Sequence, residues 1–425
     1  MTETGEGETG SESSGDGDGD TGDGDGDTGD GDGDTGDGDG DEEPLDSCPG
    51  NPDPCMPGEI CDATDSCVPA SFMDECELGP EAFVELELPP EIAAIEALGL
   101  GIVDVDQDGD GELVLLHPFT VSVLLDDDSV VSSNNPEFSA PDRLAAVFRN
   151  NEQLPALAIA STTTGDEARE MENLGGGMFS DDGPVPFAGE FPRVKRLLPA
   201  DLDLDEELND MLGMRINGRV EVWDDGFSGL SHADFSDVSE ARVDFTTADW
   251  DVDGDDDFVA VPQTLIGLHH WENTGEMFDN PVTWSDSAIE GPAMAWQALV
   301  GGELNGDMAG DIAAIVADEE DMRTAFGLWN GGGDGSFFGE TLSVVPGVYA
   351  LAEALALGPG AKREVVLVSE GGSRLVFTAE DPSSMCWEQL PFSGVALATG
   401  DLDGDQRDEI AVLDAQGQVS VWTRE

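Results

Sequence analysis

Asp249-Trp250-Asp251-Val252-Asp253-Gly254-Asp255-Asp256-Asp257 runs straight into Phe258-Val259-Ala260, and this stretch decides the fold. Acids stand at positions i, i+2, i+4 and i+8, a glycine relaxes the turn, and an apolar run with strand character follows at once. The pattern returns at Asp104, Asp106, Asp108 and Glu112 before Leu113-Val114-Leu115, and at Glu303, Asn305, Asp307 and Asp311 before Ile312-Ala313-Ala314. It returns again at Asp401, Asp403, Asp405 and Glu409 before Ile410-Ala411-Val412. An imperfect fifth copy is Asp201, Asp203 and Asp205, with Asn209 or Asp210 in the last place. One match would mean little in a chain with 95 Asp and Glu residues among 425, but five, each feeding an apolar run, mark a repeat.

Two further units lack the acids. Leu144-Ala145-Ala146-Val147 enters a loop through Asn150 and Asn151 and leaves as Ala156-Leu157-Ala158-Ile159, while Ala354-Leu355-Ala356-Leu357 passes Gly358-Pro359-Gly360 and leaves as Val365-Val366-Leu367. Unit starts then fall at 104, 147, 201, 249, 303, 356 and 401, with steps of 43 to 54 residues. Later in several units come an aromatic or acid, then Asn and Gly, then Phe: Glu172-Asn173-Leu174-Gly175 to Phe179, Trp271-Glu272-Asn273-Thr274-Gly275 to Phe278, and Trp329-Asn330-Gly331 to Phe337, with a shortened form at Trp223 to Phe227. Asn and Gly suit the turns between outer strands, and Trp and Phe are sized for packing between neighbouring sheets. Four short strands in about fifty residues, seven times over, predict an all-β, seven-bladed β-propeller over residues 83–425. No capping repeat favours a solenoid instead.

Carboxylates at alternate positions of a tight turn point to one centre, and hard oxygen donors in that number suit Ca²⁺ rather than zinc or copper. An EF-hand would place a bidentate Glu at the twelfth loop position, where this chain has Leu115, Leu212, Ala260, Ala314 and Val412. The expected calcium ligands are therefore the four residues of each loop, with Asn209 as the last of the copy at Asp201. The 249–258 stretch resembles the FG-GAP/VCBS repeat of integrin-α-like propellers, D-x-[DN]-x-D-G-x-x-D-[LIV], and the likeness extends over roughly residues 83–425. That resemblance implies calcium in the loops joining the first two strands of a blade. It also implies a protein or glycan ligand on the opposite face, with Thr162 to Ala168, Glu319 to Arg323 and Glu370 to Ser373 as contact loops.

The rest of the chain narrows the function. Residues 1–47 are almost wholly Gly, Asp, Glu, Thr and Ser, with 19 carboxylates and no base, and the heptad Asp-Thr-Gly-Asp-Gly-Asp-Gly offers no apolar position, so a disordered, self-repelling spacer is expected. The net charge of −80, with no Lys or Arg before Arg143, argues against nucleic acid and anionic membranes as partners. No apolar stretch is long enough to predict membrane insertion. Cys48, Cys55, Cys61, Cys67 and Cys76 contain no C-x-x-C and no nearby His, which favours a small disulfide-bonded module over residues 48–78 and an extracellular or surface location, although no signal peptide is visible. His117, His232, His269 and His270 are scattered, and no nucleophile elbow, H-E-x-x-H or P-loop is present. A monomeric adhesion or ligand-binding module is expected. A carbohydrate-active lyase or hydrolase, and a structural surface protein without a dedicated ligand, are the alternatives.

The ends of the chain carry one more expectation. The seventh unit runs out at Val419-Ser420-Val421-Trp422, one strand short, while Phe83-Val84-Glu85-Leu86-Glu87-Leu88 alternates like a half-buried strand ahead of the first unit. Pairing the two would close the ring and remove open edges. Cys76 lies before that strand and Cys386 before the seventh unit, so the two either form a clasp or remain as free thiols.

Overall fold

Each repeat predicted from sequence folds as one antiparallel sheet, and seven sheets surround an axis in a computed structural model of the chain. The structure describes residues 59–61, 67–69, 71–76, 83–134, 139–147, 154–163, 168–184, 193–202, 210–223, 242–254, 256–262, 268–273, 284–289, 296–305, 309–318, 322–333, 336–357, 362–379 and 384–424. We number the blades 1 to 7 by sequence; their first strands are Gly99–Val103, Arg143–Val147, Val194–Ala200, Arg242–Ala248, Ala298–Gly302, Leu351–Leu355 and Ala396–Gly400. Each first strand neighbours the first strands of the adjacent blades, and the circle closes between blades 7 and 1. The only helix among the described residues is the single turn Pro90–Ala93, so no described helix could cross a membrane.

The second strands explain why the repeats read as unbroken apolar runs. Val114 and Leu116 pack into the interface between blades 1 and 2, whereas Leu113 and Leu115 point the other way into that between blades 7 and 1. Val365 and Leu367 likewise face blade 5 while Val366 and Val368 face blade 7. With both faces of the strand buried, period-two alternation disappears and a continuous hydrophobic run remains. One apolar cluster fills each of the seven interfaces.

Tryptophans wedge several of these interfaces, as the sequence predicts. Trp223 is buried between blades 2 and 3, and Trp296 meets Trp329 edge-on at 5.3 Å between blades 4 and 5. Both arrangements need glycine opposite the ring: a Cβ on Gly327 would sit 2.7 Å from Trp329 and 2.8 Å from Trp296, and one on Gly213 would sit 2.6 Å from Trp223. Small-against-large complementarity of this kind lets indoles fill the widening gap between sheets without displacing the backbone.

The N-terminal strand closes the ring. Phe83–Glu85 pairs antiparallel with the end of blade 7, setting Glu85 opposite Trp422 and Phe83 opposite Arg424, and Leu86 N–H donates to Val421 O at 2.9 Å. The same segment does more than the sequence predicts. Ser71–Phe72 adds a parallel strand to the edge of blade 5 beside Ser343 and Val344, and Asp74–Glu75 adds one to blade 6 beside Cys386 and Trp387. The strands Ser71–Phe72, Asp74–Glu75 and Phe83–Glu85 thus form a strap on the outer edges of three consecutive blades, and the Cys76–Cys386 disulfide, 5.0 Å between Cα atoms, fastens the second of them. Upstream, Glu59–Cys61 and Cys67–Pro69 pair as a two-stranded antiparallel sheet.

Candidate cation loops

The backbone of the acidic loops is the same in blades 1, 4 and 7. Position i+3 has positive φ in each, at Gln107 (62°), Val252 (61°) and Gly404 (70°), and so does position i+5, at Gly109 (102°), Gly254 (106°) and Gln406 (68°). A β-branched residue such as Val252 pays a steric penalty there, so the loop path is imposed by something other than local preference. The acid at position i imposes part of it. Asp104 accepts N–H bonds from Gln107 (2.5 Å) and Gly109 (3.2 Å), Asp249 from Asp253 (3.2 Å) and Gly254 (3.1 Å), and Asp401 from Gly404 and Gln406 (both 2.8 Å).

The acid at i+8 opens the second strand and ties the loop from the other side. Glu112 accepts the N–H of Val105 (2.6 Å), Asp210 that of Leu202 (2.8 Å), Asp257 that of Trp250 (3.2 Å), Asp311 that of Leu304 (2.9 Å) and Glu409 that of Leu402 (2.8 Å). All five are essentially buried. In blade 3 the residue in this place is Asp210, paired with Ala200, rather than Asn209, because the loop there is one residue longer. In blade 6 the matching residue is Glu364, which holds Lys362 Nζ at 2.6 Å and accepts Thr378 N–H at 2.6 Å. This unit, one of the two without an acidic loop, carries its own ammonium group against the buried carboxylate.

Neighbouring loops are also bonded to each other. The N–H at i+7 donates to the carbonyl at position i of the preceding blade: Gly111 to Asp401 (2.5 Å), Asp256 to Asp201 (2.6 Å), Arg363 to Glu303 (2.6 Å) and Asp408 to Ala356 (2.7 Å). Side chains from the third strands reinforce the ring, with Asn173 donating to Val105 O at 2.8 Å and Asn273 to Leu202 O at 2.9 Å. These asparagines sit in the motif that the sequence suggests for turns. Their side chains instead bridge each blade to the loop of the one before.

Carboxylate oxygens come within 4.8 Å of one another in three of the predicted loops: Asp104, Asp106 and Asp108; Asp249, Asp251 and Asp253; and Asp401, Asp403 and Glu409. Asp405 stands apart, accepting Arg407 N–H at 2.9 Å. In blade 5, Asn305 donates through Nδ2 to Asp311 at 3.2 Å. Asp203, Asp205, Asn209 and Asp307 lie outside the described residues. Sequence reading did not find the further group formed by Asp108, Asp110 and Asp126, because Asp126 belongs to the turn before the fourth strand.

Several of these acids are shifted toward the protonated form. Burial pushes Glu112 up to about 8, with Asp106, Asp126 and Asp104 adding repulsion, and Glu409 and Asp251 up to about 7. Asp126 is raised to about 6 by desolvation and its contact with Asp108. Glu112 is 1 % exposed, and its Oε1 has no hydrogen-bond partner, an arrangement that costs about 1–3 kcal/mol unless a ligand satisfies it. Three or more hard oxygens around one point, with a buried oxygen left over, fit a calcium-like ion. His270 lies behind this shell in blade 4, buried, with Nε2 3.5 Å from Asp257.

On the opposite face, Phe119, Ile216 and Met322 occupy the turns between second and third strands of blades 1, 3 and 5, and they are 49 %, 52 % and 66 % exposed. Of the contact loops expected from sequence, Ser373 and Ala168 are buried and Glu370 is exposed, while residues 164–167 and 319–321 lie outside the described residues.

No protein-family model matches the chain, and no curated protein matches it. Solved structures do. BBS1N, in a crystal structure of its complex with ARL6DN soaked with mercury, is 14 % identical with a TM-score of 0.55, covering 81 % of this chain and 97 % of its own. A streptogramin B lyase is 13 % identical, covering 81 % and 98 %, with a TM-score of 0.48. An Agrocybe aegerita lectin recognising non-reducing terminal N-acetylglucosamine is 14 % identical, covering 69 % and 80 %, with a TM-score of 0.49. At these identities the likeness concerns the fold.

Proposed function

We propose that this chain is a calcium-stabilised binding module of the FG-GAP/VCBS kind, displayed outside the cell, with its ligand on the face opposite the acidic loops. The observation that carries the calcium reading is the repetition: three loops in different blades share one strained backbone path and gather three carboxylates each, and in blade 7 the third of these is the buried acid at i+8 itself. A bare arrangement of this kind repels itself, and a divalent cation supplies the missing counter-charge. Asp249, Asp251 and Asp253 would hold it in blade 4, with Asp104, Asp106 and Asp108 in blade 1 and Asp401, Asp403 and Glu409 in blade 7.

For the ligand, the apolar tips Phe119, Ile216 and Met322 support a protein surface over a polar small molecule, since isolated large hydrophobics on a rigid rim serve as anchors. A propeller of this fold bound to a protein, as BBS1N is to ARL6DN, is consistent with that use. Calorimetric titration with calcium, and melting in excess chelator, test the first half. An unchanged melt and no bound ion would refute it. Binding to protein and glycan arrays, compared between the native chain and Phe119→Ser/Met322→Ser, tests the second half, and equal binding by both would refute the apolar face.

A further inference from the structure

We propose that the face opposite the acidic loops recognises an acidic segment of a partner protein, whose carboxylates are taken by Arg143, Arg193, Lys195 and Arg219 around Ile216 in blades 2 and 3. The inference rests on the reading of that face as the ligand face and adds the charge of what binds there. The chain has 15 bases against 95 acids, yet Arg193, Lys195, Arg196, Arg215 and Arg219 all belong to blade 3. Strand register brings them to one end of the sheet. Val194 pairs with Arg215 beside the turn that carries Ile216 and Arg219, and Arg143 holds the same place in blade 2, paired with Ala160. Hydrogen bonds join these pieces into one surface: Ile216 N–H donates to Arg193 O at 3.0 Å, Val194 N–H to Ser161 O at 3.0 Å, and Arg143 Nε–H to Lys195 O at 2.8 Å. The first strand of blade 3 also bulges between Val194 and Arg196, which re-aims Lys195 out of the regular pleat.

The chain's own acids leave this charge uncancelled. Arg196 is paired with Asp244 at 2.8 Å and Arg215 with Glu221, whereas Arg143, Arg193 and Arg219 form no ion pair among the described residues. Asp142, next to Arg143, is turned to Thr162 and accepts both its N–H, at 2.8 Å, and its hydroxyl. Two carbonyls hold Arg143 instead, those of Lys195 and, at 2.7 Å, Asp142, which fix the guanidinium and leave Nη2 for a carboxylate. Burial pushes the Lys195 ammonium down; Asp244 opposes this, and Arg196 and Arg143 add to it, so these bases stand close enough to repel one another. In a chain so rich in acids, no shortage of counter-charge explains arginines left unpaired together.

The chemistry of the patch names its occupant. Guanidinium forks match carboxylates in two parallel hydrogen bonds. Ile216, 52 % exposed on the turn that carries Arg219, adds an apolar anchor, so an acid flanked by an apolar side chain fits better than a small free anion. The acids elsewhere do not forbid such a partner. They lie at the other end of the strands, and charge is screened beyond about 8 Å at physiological ionic strength.

The test presents the full chain, with calcium and about 0.15 M salt, to an array of peptides that combine Glu with Leu, each beside a counterpart carrying Gln for every Glu. The Glu peptides should be retained at least about tenfold more tightly than their Gln counterparts. Arg193→Gln/Arg219→Gln should lose that preference. Arg407→Gln, which removes a base from the acidic-loop face, should keep it. Equal retention of Glu and Gln peptides by the native chain, or a preference unchanged in the double variant, would overturn the proposal. So would a preference that Arg407→Gln loses equally, since net charge and not the patch would then be read. The apolar reading of the face is judged separately: retention of the Gln peptides that Phe119→Ser/Met322→Ser abolishes leaves that reading standing even where the preference for Glu fails.

Discussion

Removing the Cys76–Cys386 bond, with both residues changed to Ser, should cost this protein more than most disulfides do. The two cysteines are 310 positions apart, and the chain-entropy relation assigns a loop of that length about 5–6 kcal/mol at 25 °C. Part of that is recovered if the strap stays docked without its fastening. Met73 N–H donates to Val344 O at 3.1 Å, Cys76 N–H to Trp387 O at 2.9 Å, and Trp387 Nε1–H to Met73 O at 3.0 Å. Such bonds contribute about 0.5–1.5 kcal/mol each, too little to hold the segment against its own ordering entropy over a dozen residues. The expected loss is therefore about 3–6 kcal/mol in urea unfolding at fixed calcium, with the strap amides of Met73 and Cys76 exchanging hydrogen faster than those of the second strands. A loss below about 1 kcal/mol, or exchange at Met73 and Cys76 unchanged from the native chain, would refute the argument.

Two other outcomes follow from the loops. Glu112 titrates near 8 when folded against 4.5 ordinarily, and Asp251 and Glu409 near 7. Folded values above unfolded ones mean that this contribution is full in acid and lost as pH rises through 7 to 8, with a slope of up to about 1.4 kcal/mol per pH unit for Glu112 alone. Without metal the chain should melt lower at pH 8 than at pH 6, and with saturating calcium the order should reverse because ions bind the deprotonated acids; a flat profile in chelator would show that these acids are not buried as described. Asn273→Ala should destabilise by about 1–3 kcal/mol by leaving Leu202 O without its side-chain donor, whereas Asn217→Ala, on an exposed turn, should stay within about 0.5 kcal/mol in the same urea titration.

The repeat was legible because one physical constraint recurs: a loop that must gather acids and then enter a doubly buried strand leaves the same residue types at the same spacing. The unit starts at 104, 201, 249, 303, 356 and 401 even predict which residues bond across blades, since donors at i+7 meet carbonyls at i. Closure by Phe83–Glu85 was legible from its alternation and from the strand missing at Val419. Ser71–Phe72 and Asp74–Glu75 were not, because two-residue parallel strands within a cysteine-rich stretch leave no period to detect. Asp126 was invisible for another reason. It reaches the site through the hairpin register of Leu124 with Val130, which brings a distant turn onto the loop face. Lys362 shows the limit of motif reading, since a unit that satisfies its buried Glu364 with an ammonium group has no acids to recognise.

The strap also sets an order of events during synthesis. Its strands at 71–85 are among the earliest parts of the propeller made, yet their partners are at 343–344, 386–387 and 422–424, the last of which is made almost at the end. At about 5–20 residues per second Phe83–Glu85 waits roughly 20–70 s for its partner in blade 7 to emerge from the ribosome. During that interval the strands of the strap have no partners, and an unpaired strand is a site for the wrong chain to add. A cell making this protein therefore has to protect its first strands until their partners arrive, and Cys76 can be oxidised onto Cys386 only once blade 6 has been made.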